Sequence, residues 1–269
     1  MKPLLTYYGG KQNLIKDILP LIPEHKQYVE PFFGGGAVFF AKPRSEHEVI
    51  NDIDGRITNF YRVVKTKFDE LKLMIEGTAY SEVEYKRAKT ILKTGQGTDV
   101  ERAWAIWVQI NMSFATKMFA GFAFGNSGII IKSVLNKKLN FTKKYAERLN
   151  LVEIFQRDAL ELIKLKDTED TFFYLDPPYP DTEQGHYEGY TIDDFVKLLE
   201  VLKGIKGKFL LSSFYCDELE NYINIYKWNN KIIKKICSAK KTQNGRRDKI
   251  KMESLTWNYD LLQRKLFLA

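Results

Sequence analysis

Apolar positions along the chain alternate between two spacings. After Lys11, residues Leu14, Ile18, Leu19 and Ile22 recur at helical intervals, and Pro23 lies beyond the end. Tyr28 to Phe32 reads as a buried strand that runs into Gly34-Gly35-Gly36 and a short apolar helix, Ala37 to Ala41. Val49 to Asn51 is a second short strand, and Ile57, Phe60, Val64, Phe68 and Leu71 predict one long helix after it. The alternation then stops. Glu82 to Lys93 and Val100 to Met112 predict helices, the second with Val100, Trp104, Trp107 and Asn111 on one face, and Ser113 to Ser133 reads as irregular. Alternation resumes with strands at Leu151 to Phe155, Thr171 to Leu175 and Lys208 to Ser212, and helices at Ala159 to Leu165, Ile192 to Leu202 and Cys216 to Ile225. Lys231 to Cys237 and Met252 to Tyr259 predict a final pair of strands joined by a basic loop.

Strands alternating with helices predict an α/β fold, a mostly parallel sheet with helices on both faces. The non-alternating block reads as an inserted, mainly helical module over 61–145, leaving 1–60 and 146–269 as the α/β domain. Ligands of such sheets bind at the carboxyl ends of the strands, where both the glycine cluster and an Asp176-Pro177-Pro178-Tyr179 run fall.

Composition narrows the field. Of 269 residues 44% are hydrophobic, enough for a packed core, and 42 Lys and Arg against 34 Asp and Glu leave a formal charge of +8. A basic protein favours a polyanionic partner, although a lysine-rich proteome gives the same balance. The two cysteines and three histidines have no metal-ligand spacing, so no metal is expected. No apolar run approaches about 18 residues and no leader is visible, which predicts a soluble cytoplasmic protein without a membrane partner.

Three constellations carry chemistry. In Glu30-Pro31-Phe32-Phe33-Gly34-Gly35-Gly36 the glycines let backbone approach a ligand closely. No Gly-Lys-Ser/Thr follows, so this is not a phosphate loop. Asp52, closing the next strand, is placed to hydrogen-bond a ribose, which favours a nucleoside ligand over a plain tight turn. In Asp176-Pro177-Pro178-Tyr179, two prolines that cannot donate stiffen the corner. Aspartate and the Pro177 carbonyl are adjacent acceptors, and Tyr179 offers a flat face. That set suits an exocyclic amino group on a planar ring; alone, it also fits a rigid loop. In Tyr7-Tyr8-Gly9-Gly10-Lys11, glycines and a lysine ahead of a helix suit a carboxylate, as a plain loop would too.

Taken together, in this order and spacing, these motifs resemble the Dam-type, D12-class family of adenine-specific DNA methyltransferases, over the whole chain. The resemblance implies a Rossmann-like S-adenosylmethionine-dependent methyltransferase sheet with a target-recognition insert. It places Tyr7 and Lys11 on the methionine part of the cofactor and Asp52 on the ribose. Ile53 and Phe155 sandwich the cofactor adenine, with Asp158 beside it. Glu30, Phe32, Gly34, Gly36 and Asp176 complete that site. Asp176, Pro177, Pro178 and Tyr179 are the expected catalytic group: hydrogen bonds from both amino protons localise the nitrogen lone pair and stabilise the charge that grows during attack. The target base is flipped out of duplex DNA and stacked on Tyr179; the loop carrying Tyr187 either closes over it or is a plain surface loop.

Expected DNA contacts are Thr6, Asn111, Lys117, Asn126 and Tyr187, with Lys240, Lys241, Arg246 and Arg247 able to neutralise phosphates. The phenylalanines of the insert are read mostly as its small core. GATC-methylating members usually carry a lysine where Thr6 stands, and differ over Phe119 to Gly125, which argues against GATC here. The resemblance also implies double-stranded DNA as substrate; a mostly monomeric enzyme is expected, and a cognate restriction endonuclease is a candidate partner that the sequence alone does not decide. Two alternatives compete: an N-methyltransferase acting on RNA adenine or protein glutamine, and a non-catalytic DNA-binding module on the same fold.

Overall fold

The computed structural model describes residues 1–5, 10–114, 118–125, 127–179, 189–237 and 249–261. Thr6, Tyr7, Lys117, Asn126, Tyr187, Lys240, Lys241, Arg246 and Arg247, singled out above, lie outside the described residues. The helices are α1 (Ile15–Ile18), α2 (Ala37–Ala41), α3 (Gly55–Thr66), α4 (Phe68–Gly77), α5 (Glu82–Thr94), α6 (Asp99–Asn111), α7 (Ile129–Leu139), α8 (Lys144–Leu149), α9 (Ala159–Lys166), α10 (Ile192–Leu202) and α11 (Asp217–Tyr226). The strands are β1 (Gln27–Glu30), β2 (His47–Asn51), β3 (Val152–Phe155), β4 (Thr171–Leu175), β5 (Lys208–Phe214), β6 (Asn229–Cys237) and β7 (Lys249–Trp257). The fold is α/β, as the alternation predicts.

Three expectations need correction. The long helix from Ile57 to Leu71 is two helices, α3 and α4, because Lys67 leaves helical geometry (φ −136°, ψ 39°). The first helix is α1 flanked by 3₁₀ turns, Lys11–Leu14 and Leu19–Leu21; Pro20, inside the second, has no N–H for an α-helical bond. Ser113 to Ser133 is not irregular throughout. Ser113 bridges Phe122 antiparallel, and α7 starts at Ile129 after Gly128, which takes a left-handed conformation (φ 65°). The three consecutive isoleucines that open α7 are modest helix formers by propensity, which hid it.

The chain divides into two compact units. The first comprises Met1–Lys16 and Phe32–Ala159. Here β2 and β3 pair in parallel, with Glu48 opposite Val152 and Asn51 opposite Phe155. Its core is aromatic: Phe33 meets Tyr61 edge-on at 4.7 Å and Phe39 at 5.5 Å. Helix α6 starts with a capping box, in which Thr98 and Glu101 satisfy each other's backbone N–H groups. Burial runs around it from Ala103 to Asn111, not along one stripe, so it is a central helix of this unit rather than a surface one.

The second unit comprises Asp17–Pro31 and Leu160–Ala269. Its strands run in the order β1-β4-β5-β7-β6. The first three are parallel, and β7 pairs antiparallel with both β5 and β6. All five residues of β4 are buried. Phe195, Leu198, Leu199 and Leu202 form the buried stripe of α10.

The first unit also buries a charge cluster. Glu48 accepts from Lys42 Nζ at 2.6 Å, from Arg148 Nη2 at 2.8 Å and from Arg148 Nη1, while the Arg148 guanidinium lies 3.7 Å from the Phe39 ring centroid. Burial acts to raise the Glu48 pKa, but the hydrogen bonds from Arg148 and Lys42 outweigh it and hold the group below its ordinary 4.5. A depressed carboxylate contributes stability that is present above the unfolded-state pKa and is lost as pH falls through the folded one. Glu48→Gln leaves two buried cations without a counter-charge and is expected to cost about 3–5 kcal/mol in urea unfolding at neutral pH. The gap to the native protein should narrow below pH 4.5. A gap that is absent, or constant through acid, would refute this account.

Candidate active site

In the first unit the glycine loop after Phe32 is built around one carboxylate. Asp52, 2% exposed, accepts from Gly34 N at 2.8 Å through Oδ2 and from Asp54 N at 2.9 Å through Oδ1. Phe33 N donates to Asn51 O at 2.9 Å, and Tyr61 OH donates to Gly35 O at 3.1 Å, so the loop is tied at both edges. Gly34 and Gly36 have positive φ, 48° and 65°. A Cβ on Gly36 would stand 2.4 Å from Phe33 Cζ, so this glycine is required by conformation and by space alike.

The parallel register of β2 and β3 brings the predicted nucleoside residues together. Asn51 opposes Phe155. The Asn51 side chain then pairs with the Arg157 backbone like a short strand, donating to Arg157 O at 3.0 Å and accepting from Arg157 N at 2.9 Å. This pairing fixes the turn carrying Phe155 to Asp158. Phe155 is half-buried and Asp158 exposed. Ile53, next to buried Asp52, is 61% exposed, an apolar side chain with its face in solvent. Lys11, by contrast, is buried at the start of its 3₁₀ turn. Asp54 clamps Arg56 through both carboxylate oxygens, and the Arg56 guanidinium lies 5.9 Å from the ring centroid of Phe119, which has a left-handed backbone (φ 66°).

In the second unit Glu30 closes β1, buried, and accepts from Tyr28 OH at 2.7 Å. After β4, Asp176 is half-buried, Pro177 buried, and Pro178 and Tyr179 half-buried. Tyr179 OH donates to Glu253 Oε1, which also accepts from Ser212 Oγ at 3.0 Å. Tyr174, on β4, is fully buried; loss of hydration, then the charges of Asp176 and Glu30, push its phenol well above the ordinary range. Asp176, Glu30 and Glu253 all contribute to that shift, after the loss of hydration.

Asn111, expected at DNA, is buried within α6 and donates through Nδ2 to Trp107 O at 2.8 Å. Among the described residues no group of His, Cys, Asp and Glu could hold a metal ion, and no helix is long and apolar enough to cross a membrane. Asn51, Tyr61, Ser212 and Glu253 went unnoticed in the sequence. For Glu253 a signal existed: it is the one acid in the otherwise uncharged run to Trp257.

The family model for D12 class N6 adenine-specific DNA methyltransferase matches residues 7–244. The type II methyltransferase M1.LlaDCHI of Lactococcus lactis subsp. cremoris is 28% identical, over 84% of this chain and 87% of its own. The type II methyltransferase M.MjaIII of Methanocaldococcus jannaschii is 27% identical, over 96% and 99%. The DNA adenine methylase of Escherichia coli K12 is 32% identical over a shorter stretch, 32% of each chain.

Because Gly36 combines left-handed backbone with a collision at a packed phenylalanine ring, Gly36→Ala is expected to destabilise the protein by about 2–4 kcal/mol. Thermal or urea unfolding reads this directly, and a variant as stable as the parent would show that the loop conformation is not required.

Proposed function

We propose, from the premise that this chain belongs to the family of D12 class N6 adenine-specific DNA methyltransferases, a division of its side chains between a methyl donor and a target base. The activity is site-specific methylation of DNA at adenine N6, which sets aside RNA adenine and protein glutamine as substrates and the non-catalytic alternative. The donor is S-adenosylmethionine, whose sulfonium supplies a methyl group already activated for transfer without a metal.

The first unit's residues suit that ligand. Both Asp52 oxygens take backbone amides, but each retains lone-pair capacity for a ribose hydroxyl. Ile53 and Phe155 supply apolar faces for the adenine ring, Asp158 an acceptor for its amino group, and buried Lys11 a cation for the methionine carboxylate; Tyr7 is assigned to the same methionine part. Phe32, Gly34 and Gly36 complete the first unit's set, and the second unit adds Glu30 and Asp176.

For the target adenine, the Asp176 carboxylate and the Pro177 carbonyl accept the two amino hydrogens, and Tyr179 stacks on the base after it has left the duplex. Asp176 serves as an acceptor that stabilises positive charge on nitrogen; proton loss follows methyl transfer. The observation that carries this reading is the corner itself: a half-buried aspartate ends a fully buried strand, two prolines follow it, and the next tyrosine is tied down at its hydroxyl.

Residues 61–145 serve as the recognition module. Thr6, Lys117, Asn126, Tyr187, Lys240, Lys241, Arg246 and Arg247 contact DNA; Asn111, enclosed in α6, acts through the packing of that helix instead. A recognition site other than GATC, a cognate endonuclease, a monomeric enzyme and a cytoplasmic setting complete the proposal, supported by relatives named as type II methyltransferases.

Asp176→Ala is expected to lower methyl transfer to DNA by about 10²–10³-fold or more, a loss well beyond any loss of S-adenosylmethionine affinity by calorimetry. Retained turnover would remove Asp176 from the chemistry. Neutralising Arg246 and Arg247 together should reduce the slope of log K against log salt by about 2 units; an unchanged slope would exclude both from phosphate contact.

A further inference from the structure

Glu253 belongs to no motif, yet it holds a residue of the target corner. It lies on β7, opposite Phe214 of β5 in the antiparallel register, and is 5% exposed. A buried carboxylate is costly unless hydrogen-bonded, and Glu253 Oε1 receives two hydroxyls: Tyr179 OH, and Ser212 Oγ from β5 at 3.0 Å. A bond to a tyrosine hydroxyl locates the tip of the ring but leaves it free to spin, because the oxygen lies on the spin axis. The second restraint is Phe214, whose ring centroid lies 5.9 Å from that of Tyr179 at 52°. Tip and plane are therefore set by separate contacts, both from the antiparallel β5–β7 pair.

We infer that Glu253 is a positioning residue for methyl transfer, holding the Tyr179 ring as a pre-set platform for the target adenine. This rests on the reading of Tyr179 as the stacking face. A platform held in place makes the rate sensitive to displacement, since about 1 Å of misplacement can cost 10²-fold. It also explains an acid in the uncharged end of β7: a carboxylate accepts a phenol hydrogen more strongly than a neutral acceptor does.

The test uses the full chain, unmethylated genomic DNA and labelled S-adenosylmethionine. Glu253→Ala and Tyr179→Phe each remove the same hydrogen bond and are expected to lower kcat about 10-fold or more, with cofactor affinity within about twofold of the parent. Glu253→Gln, whose amide oxygen still accepts the phenol hydrogen, should restore most of the rate. The Tyr179→Phe/Glu253→Ala double variant should be no slower than the worse single one. Should Glu253→Ala fail to fold, Tyr179→Phe decides alone, a reduced kcat at parental melting temperature supporting the inference and a parental kcat overturning it. A parental kcat for folded Glu253→Ala, beside an inactive Tyr179→Ala, overturns the inference and leaves the stacking reading standing. Full activity of Tyr179→Ala overturns both.

Discussion

One carboxylate organises the glycine loop of the first unit. Asp52 receives the amides of Gly34 and Asp54, so the glycine loop and the turn after β2 are held by a single buried side chain. Hydrogen bonds to an ionised acceptor are short and strong, and leaving a buried charge without them is costly. The positive φ of Gly34 and Gly36 is the backbone's answer to that demand, since the loop must turn its amide inward over a short span. The nucleoside-binding residues assigned to this unit are placed relative to that anchor.

The same economy governs the other buried charges. Glu48 is surrounded by Lys42 and Arg148, and Glu253 by two hydroxyls. The two acids differ in what they hold. Glu48 receives two cations and braces the helix–strand packing of the first unit. Glu253 accepts two hydroxyls, one from Tyr179 after β4 and one from Ser212 on β5. Polar groups in a low-dielectric core act strongly on one another, and for this reason a change at a residue that touches no ligand can reach the chemistry.

The arrangement is also economical in its use of strand register. Pairing Asn51 with Phe155 fixes, in one step, the Phe155 ring and the turn that carries Asp158. Pairing Phe214 with Glu253 fixes the acceptor of Tyr179. In both cases a backbone ladder, rigid over its length, positions side chains more reliably than a loop does.

Much of this was legible in the residues alone. β4 was visible from end to end because its five residues are all apolar or β-favouring and are bounded by turn signals, and α2 and α10 because their apolar stripes are uninterrupted. The three motifs were legible as candidate chemistry, since glycine, proline and aspartate have few substitutes where backbone freedom, rigidity and acceptance are needed together. The break at Lys67 and the helix at Ile129–Leu139 were not legible, because local propensity there is weak and packing decides. Nor were Asn51, Glu253 and Ser212, whose partners lie 106 and 41 residues away in the chain. Periodicity and motif report what a residue is and which face it shares with its neighbours. Which distant group meets it depends on strand register, and that is set only when the whole sheet forms.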